Sequence, residues 1–316
     1  MTYEDVLRVT GRLALPYLNG LGARPVVGRE NDPVIEPAAM PEAGDDPETT
    51  MTELAGLVDR AGVMTAGPRY FGFVIGGTLP AALAADWLAT AWDQNAALHV
   101  MSPAMAALED LTAAWLLDVF DLPRTSSIGF VSGATMANAT CLAAARDEVL
   151  RRVGWDVEAN GFQRAPVVTM VAGHEAHSSI ESACRVLGFG TSHTARVEAD
   201  SQGRMVPASL EAALAGVTGP TIVCLQAGHV NTGAFDPFVE LIPIARRVGA
   251  WVHVDGAFGL WARAASRFRH LCPGLEFADS WAVDTHKWLN VPMTAASPSS
   301  RIRRRTVRRW RNARRT

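Results

Sequence analysis

Lysine is almost missing from this 316-residue chain: of 29 Lys plus Arg residues one is Lys, at position 287. Codon usage that turned most lysines into arginines accounts for the bias, since either serves a solvated face. A lysine that stands alone is either a chance survivor or the residue for a task that arginine cannot perform. Arg stays protonated at any working pH, whereas a Lys amine can lose its proton and attack a carbonyl. Cysteine is scarce too. Cys141, Cys184, Cys224 and Cys272 are far apart and form no CxxC pair, a pattern of reduced thiols in a cytoplasmic protein. No apolar run approaches the roughly 20 residues that span a bilayer. The opening Met1-Thr2-Tyr3-Glu4-Asp5 lacks the basic and apolar regions of a secretory signal. A soluble cytoplasmic protein with no membrane partner is expected.

Acids are missing from the end of the chain. All 32 precede residue 291, so residues 1–300 carry 20 − 32 = −12 and the rest, with nine arginines, +9. A basic tail can bind nucleic acid or anionic membrane. The blander alternative is an aberrant, disordered end with no evolved role, and nucleic acid is not expected as a partner.

What is present suffices for a large core. Hydrophobic residues make up 48% of the chain and charged residues 19%, which fits one large domain with smaller attachments and gives no sign of disorder. Residues 1–65 are broken by Pro25, Pro33, Pro37, Pro41 and Pro47 and read as an N-terminal arm with one or two helices. A helix is predicted from Pro80, and another over Ser102–Phe120 with Ser102 as N-cap and Pro103 in the first turn. Strands then alternate with helices: strand Ser127–Val131, helix Ala134–Leu150, strand Val167–Val171, helix Ser178–Leu187, strand Thr221–Leu225, helix Pro237–Val248, and strands Trp251–Val254 and Ser280–Val283. That alternation predicts an α/β domain over 66–292, its mostly parallel sheet covered on both faces. Ligands bind outside the carboxyl ends of such strands, and polar residues collect there.

Four segments carry the chemistry. Gly133-Ala134-Thr135 lies at a strand-to-helix junction, where free amides and the helix dipole can cradle a phosphate, although Gly and Thr also serve turning and capping. His174-Glu175-Ala176-His177 holds two histidines, but no further ligands with zinc-like spacing accompany them, so no metal is expected. Asp255 ends an apolar strand, where an ionised carboxylate is costly unless it meets a cation or a donor. In Asp284-Thr285-His286-Lys287-Trp288, the single lysine follows a histidine directly after a strand.

The order Ser-Gly-Ala-Thr, Ala-His-Ser-Ser, His-Val-Asp-Gly-Ala and Thr-His-Lys-Trp resembles the group II pyridoxal-phosphate-dependent (PLP-dependent) amino-acid decarboxylases. These include the glutamate, aromatic amino-acid and histidine decarboxylases. The resemblance runs from about Pro68 to Pro292 and implies a PLP-dependent transferase fold of type I, like aspartate aminotransferase, built as a homodimer. By it, Lys287 would form the Schiff base with PLP, Asp255 would pair with the pyridine nitrogen, and Ala257 would lie beneath the ring. His177 would stack on the other face and serve proton transfer or orientation. Gly133, Ala134, Thr135 and His286 would hold the phosphate. The implied reaction is decarboxylation of an L-amino acid to the amine and CO2. An aminotransferase, a carbon–carbon lyase or an inactive truncated remnant are the alternatives. Tyr70, Phe71 and Phe73 fall where the family places part of its substrate pocket, though core packing explains aromatics equally well. The loop Gly228–Asp236 resembles the family's Gly-Thr-Thr loop, but His229 departs from its pattern and receives no role. The resemblance stops near Met293, so an internal strand, a mobile loop and the small C-terminal domain are expected to be missing, with 293–316 an aberrant tail.

Overall fold

The computed structural model describes residues 2–28, 39–96, 98–292 and 296–300, the last segment by its backbone alone. The arginine-rich stretch 301–316 lies outside the described residues, as do Pro33 and Pro37. Two compact units divide the chain, Met1–Gly77 and Thr78–Thr316.

In the first unit α1 (Tyr3–Gly20) packs on α2 (Pro47–Ala61), so the expected N-terminal helices are two. Each begins with a side-chain cap. Thr2 and Asp5 bond reciprocally at α1, and Asp46 accepts the Thr49 amide at 3.1 Å at α2, which satisfies donors the helix itself leaves open. Phe71 and Phe73 belong to this unit and are exposed in it.

The second unit runs α3 (Pro80–Trp92), α4 (Pro103–Val119), β1 (Ser127–Ile128), α5 (Ala134–Arg152), α6 (Val157–Asn160), β2 (Thr169–Gly173), α7 (Ser178–Val186), β3 (Thr194–Val197), α8 (Pro207–Leu214), β4 (Thr221–Gln226), α9 (Phe238–Arg247), β5 (Trp251–Asp255), β6 (Ser280–Asp284), α10 (Thr285–Trp288) and β7 (Ala296–Ser300). Sequence patterning located every one of the predicted strands and helices to within a few residues. It assigned nothing to β3 or α8, whose four- and eight-residue spans carry little periodic signal. Ser102 does stand at the N-cap of α4, yet its hydroxyl makes no cap hydrogen bond and instead donates to Gln94 Oε1 at 3.2 Å.

The strands form one sheet in the order β1-β7-β6-β5-β4-β2-β3. All neighbouring pairs are parallel except those of β7, which runs antiparallel to both β1 and β6. The internal gap expected from the early end of the resemblance is therefore filled by residues 296–300, which supply the backbone partners that β1 and β6 require. Alternation along each strand feeds two cores. Val223, Leu225, Val252 and Val254 point to the face shared with α4, α8 and α9. Ile222, Cys224 and Trp251 point to the opposite face, which Leu142, Ala145 and Val149 of α5 and Ile180 and Ala183 of α7 cover. Each buried Val or Leu contributes roughly 1.5–3 kcal/mol of hydrophobic stabilisation. No helix among the described residues is long and apolar enough to cross a membrane.

Candidate active site

The period of two in β5 decides where the site forms. His253 and Asp255 share the face of Trp251, the one that α5 crosses. On that helix Asn138 lies one turn past Ala134, so its side chain meets the strand end. Asp255 is 4% exposed. Its Oδ2 accepts from Asn138 Nδ2 at 3.1 Å and lies 3.3 Å from the Ser179 hydroxyl, while Oδ1 accepts the Ala257 amide at 3.2 Å. The sequence demanded a donor or cation for this carboxylate, and the fold provides three donors.

His177 is the N-cap of α7. Its Nδ1 accepts the Ser179 amide at 3.2 Å and lies 2.8 Å from the Ser179 hydroxyl. An accepting Nδ1 puts the proton of a neutral ring on Nε2. The His177 amide donates to Gln226 Oε1 at 3.2 Å, which ties the start of α7 to the end of β4. Ser179 thus stands between His177 and Asp255, two residues that the sequence placed in one site.

Lys287, in α10 just beyond β6, faces the same strand ends. Its Nζ lies 3.6 Å from Asp284 Oδ2 and 5.7 Å from the centre of the Phe258 ring. His286 Nδ1 lies 3.6 Å from Asp284 Oδ1, beyond hydrogen-bond reach. Both of those buried atoms lack a hydrogen-bond partner among the described residues. Burial pushes the Asp284 carboxyl above its ordinary range, opposed by the charges of His286 and Lys287 and by the Ala134 amide. That amide opens α5, whose N-cap Gly133 offers no side-chain bond, so the amides of Ala134 and Thr135 bring a positive helix end toward His286 and Lys287. The Asp284 amide donates to the Ala257 carbonyl at 2.8 Å and locks the two loops together.

The donor set suits a phosphorylated aldehyde cofactor. There is one lysine amine, a helix start whose first amide is met by Asp284 and not by its own N-cap, orphaned polar atoms beside it, and a buried carboxylate whose Oδ1 holds one donor among the described residues. No group of three or more His, Cys, Asp or Glu among the described residues is arranged to hold a metal ion.

The neighbouring loop is structural. His229 is buried, its Nδ1 accepting the Asn231 amide at 3.3 Å and its Nε2 3.7 Å from Glu175. The ring packs against Gly203, at φ +80°, where a Cβ would come within 2.8 Å of it. Asp236, buried beside it, takes the amides of Met205 and Gln226 at 2.8 and 2.7 Å. Burial pushes its carboxyl up to about 6.

Asn138, Ser179, His253 and Asp284 received no role from the sequence, although all lie in or near its four segments. Two signals mark them. His253 precedes Asp255 by two on a strand, and Asn138 is a polar residue on the apolar stripe of an alanine-rich helix.

Residues 31–301 match the family described as the pyridoxal-dependent decarboxylase conserved domain. Tryptophan decarboxylase 1 of Oryza sativa subsp. japonica is 33% identical over 260 residues, 77% of this chain and 50% of that protein. The chain therefore spans about half the length of this curated relative. The crystal structure of Oryza sativa TDC with PLP and tryptamine superposes with a TM-score of 0.85 at 28% identity, covering 96% of this chain and 68% of that one. Mouse CSAD gives a TM-score of 0.84 at 25% identity over 97% of this chain and 64% of its own.

Proposed function

We propose, on the premise that this chain belongs to the pyridoxal-dependent decarboxylase family, that it decarboxylates an L-amino acid to the amine and CO2 with Lys287 holding PLP. The observation that carries the reading is the convergence of Lys287, His286 and the start of α5 on Asp284, with Asp255 and His177 joined through Ser179.

PLP, when bound, supplies an electron sink for the pair left by a departing carboxylate. The chain's residues hold and orient. The Lys287 amine would carry the cofactor's aldehyde carbon, and the charged partner it would leave is Asp284, 3.6 Å away. The start of α5 at Gly133, Ala134 and Thr135 would take the phosphate with His286, the Ala134 amide exchanging Asp284 for it and His286 Nδ1, without a partner among the described residues, gaining one. Asp255 would keep a proton on the pyridine nitrogen, since a buried carboxylate favours a cation beside it. Ala257, small and half-buried, leaves room beneath a flat ring. The exposed His177 ring would lie against the other face, its Nε2 proton available to the substrate.

A second copy of this chain is the partner the reading implies. Exposed Trp87, Leu88 and Trp92 of α3 and Leu108, Leu111 and Trp115 of α4 make the kind of apolar surface that a homodimer covers, and sizing in solution tests it. Four buried cysteines with no disulfide support a cytoplasmic location.

The deciding measurement is the visible spectrum of the protein with PLP, beside Lys287→Ala. A band that borohydride bleaches, absent from the variant, is expected, followed by CO2 release in an amino-acid screen. A folded protein with no lysine-dependent band sinks the reading.

A further inference from the structure

Behind Asp255 a hydrogen-bonded chain crosses the core and ends on a tryptophan. Asn138 donates from Nδ2 to Asp255 Oδ2 at 3.1 Å and to Ser179 Oγ at 3.0 Å. Its Oδ1 lies 2.9 Å from His253 Nε2, and His253 Nδ1 lies 2.9 Å from Ser280 Oγ. Ser280 Oγ in turn accepts from Trp251 Nε1 at 2.9 Å. Asn138, His253, Ser280 and Trp251 are all completely buried. Burial holds the His253 ring down at about 4, against the pull of Asp255, so the ring is neutral and carries one proton.

One proton arrangement satisfies every member. Indole N–H can only donate, so the Ser280 hydroxyl accepts from Trp251, and because Asn138 must turn its N–H groups to the Asp255 carboxylate and its Oδ1 to His253, the hydroxyl's own proton goes to His253 Nδ1. The remaining imidazole proton is then on Nε2 and goes to Asn138 Oδ1. With its carbonyl held, the amide must aim both N–H groups away from His253, at Asp255 and Ser179. A flipped amide would set a carbonyl against a carboxylate and an N–H against an N–H.

We propose that His253 is a positioning residue for the cofactor: acting through Asn138, it fills Asp255 Oδ2 with fixed donors and leaves Oδ1 as the oxygen with capacity for the pyridine N–H. The inference rests on the PLP reading above. The same amide, by donating to Ser179 Oγ, leaves that hydroxyl's proton for Asp255 or the 2.8 Å contact to His177 Nδ1, so both ring-facing residues are oriented from one buried group. Neither His253 nor Asn138 needs to touch the cofactor to do this.

The test is an absorption titration of the full chain with pyridoxal 5′-phosphate. Parent, His253→Leu and His253→Gln are compared, and each apo-protein's melting midpoint is measured alongside. His253→Leu takes away the group that holds the Asn138 amide and so loosens its bond to the Asp255 carboxylate, which predicts about a tenfold rise in PLP Kd, with a shifted pH midpoint of the bound cofactor's band. His253→Gln, whose amide can donate to Asn138 Oδ1, is expected to restore the parent's midpoint and a Kd within about threefold. Should His253→Leu not fold, Ser280→Ala, a smaller change that frees the imidazole tautomer, takes its place with the same expected direction. A parent with its lysine-dependent band and a folded His253→Leu or Ser280→Ala of unchanged Kd and pH midpoint overturns the inference alone. Equal losses in the Leu and Gln variants, tracking their melting midpoints, also overturn it. A parent without the band overturns this inference together with the PLP reading.

Discussion

Burial holds the His253 ring at about 4, from an ordinary 6.5, and pushes the Asp236 carboxyl to about 6, from 3.8. The two groups act in opposite directions over nearly one pH window. Between about 4 and 6.5 the unfolded chain binds more protons at His253 than the folded one, so this residue makes stability rise with pH and fall as the medium turns acid. Between 3.8 and about 6 the folded chain binds more protons at Asp236, so that residue makes stability fall as pH rises. Each shift is worth about 3 kcal/mol at most, and in the parent they largely offset each other. Unfolding by urea at pH 4.5 and 6.5 should therefore show His253→Gln losing stability with rising pH relative to the parent. Asp236→Asn should show the reverse slope. Matching slopes in all three would mean that neither group stays buried in its present charge state.

At the scale of elements, Arg263 clamps the end of α4. Its nearly buried guanidinium donates to the carbonyls of Phe120 and Asp121 at 2.5 and 2.9 Å and meets the carboxylates of Asp121 and Glu276 at 3.1 and 2.8 Å. Phe120 is the C-cap of α4, and Asp121 turns the chain at φ +49°. A helix end needs donors for its last carbonyls, and here one side chain brings them from far along the sequence. Arg263→Leu keeps the volume but strands those acceptors, and should cost about 3 kcal/mol in chemical denaturation. Arg263→Lys should recover only part of the loss, because a single ammonium cannot span the fork.

For the molecule as a whole, β7 sets where the chain can be shortened. It pairs Ser127 and Ile128 of β1 with Ser300 and Ser299, and it pairs the whole of β6 from Ser280 to Asp284. Removing residues 293–316 would leave the backbone groups of both neighbours unpaired inside the sheet. Such a protein should precipitate or unfold without a cooperative transition. Removal of residues 302–316 retains every described strand, so its melting midpoint should lie well above that of the longer deletion. Equal midpoints for the two deletions would contradict the internal place of β7.

Much of this was legible in order along the chain. Apolar runs between helical stretches marked β2, β4, β5 and β6 together with α5, α7 and α9, because burial on both faces leaves a strong pattern. The solitary lysine declared itself by rarity and the strand-end aspartate by chemical cost, while the histidine before the lysine drew its expected role from the resemblance. Residues 296–300, Ala-Ser-Pro-Ser-Ser, carry no apolar run and one proline, so nothing local marks them as a strand. Their pairing comes from the vacant backbone of β1 and β6. Asn138, 117 residues from Asp255 in sequence, likewise becomes a site residue only once α5 crosses β5. Composition singled out the lysine and strand position the aspartate, while the family resemblance supplied the roles proposed for them, since reactivity belongs to side chains. The tertiary structure alone decided which partners orient them, since a hydrogen bond depends on distances that the folded backbone sets.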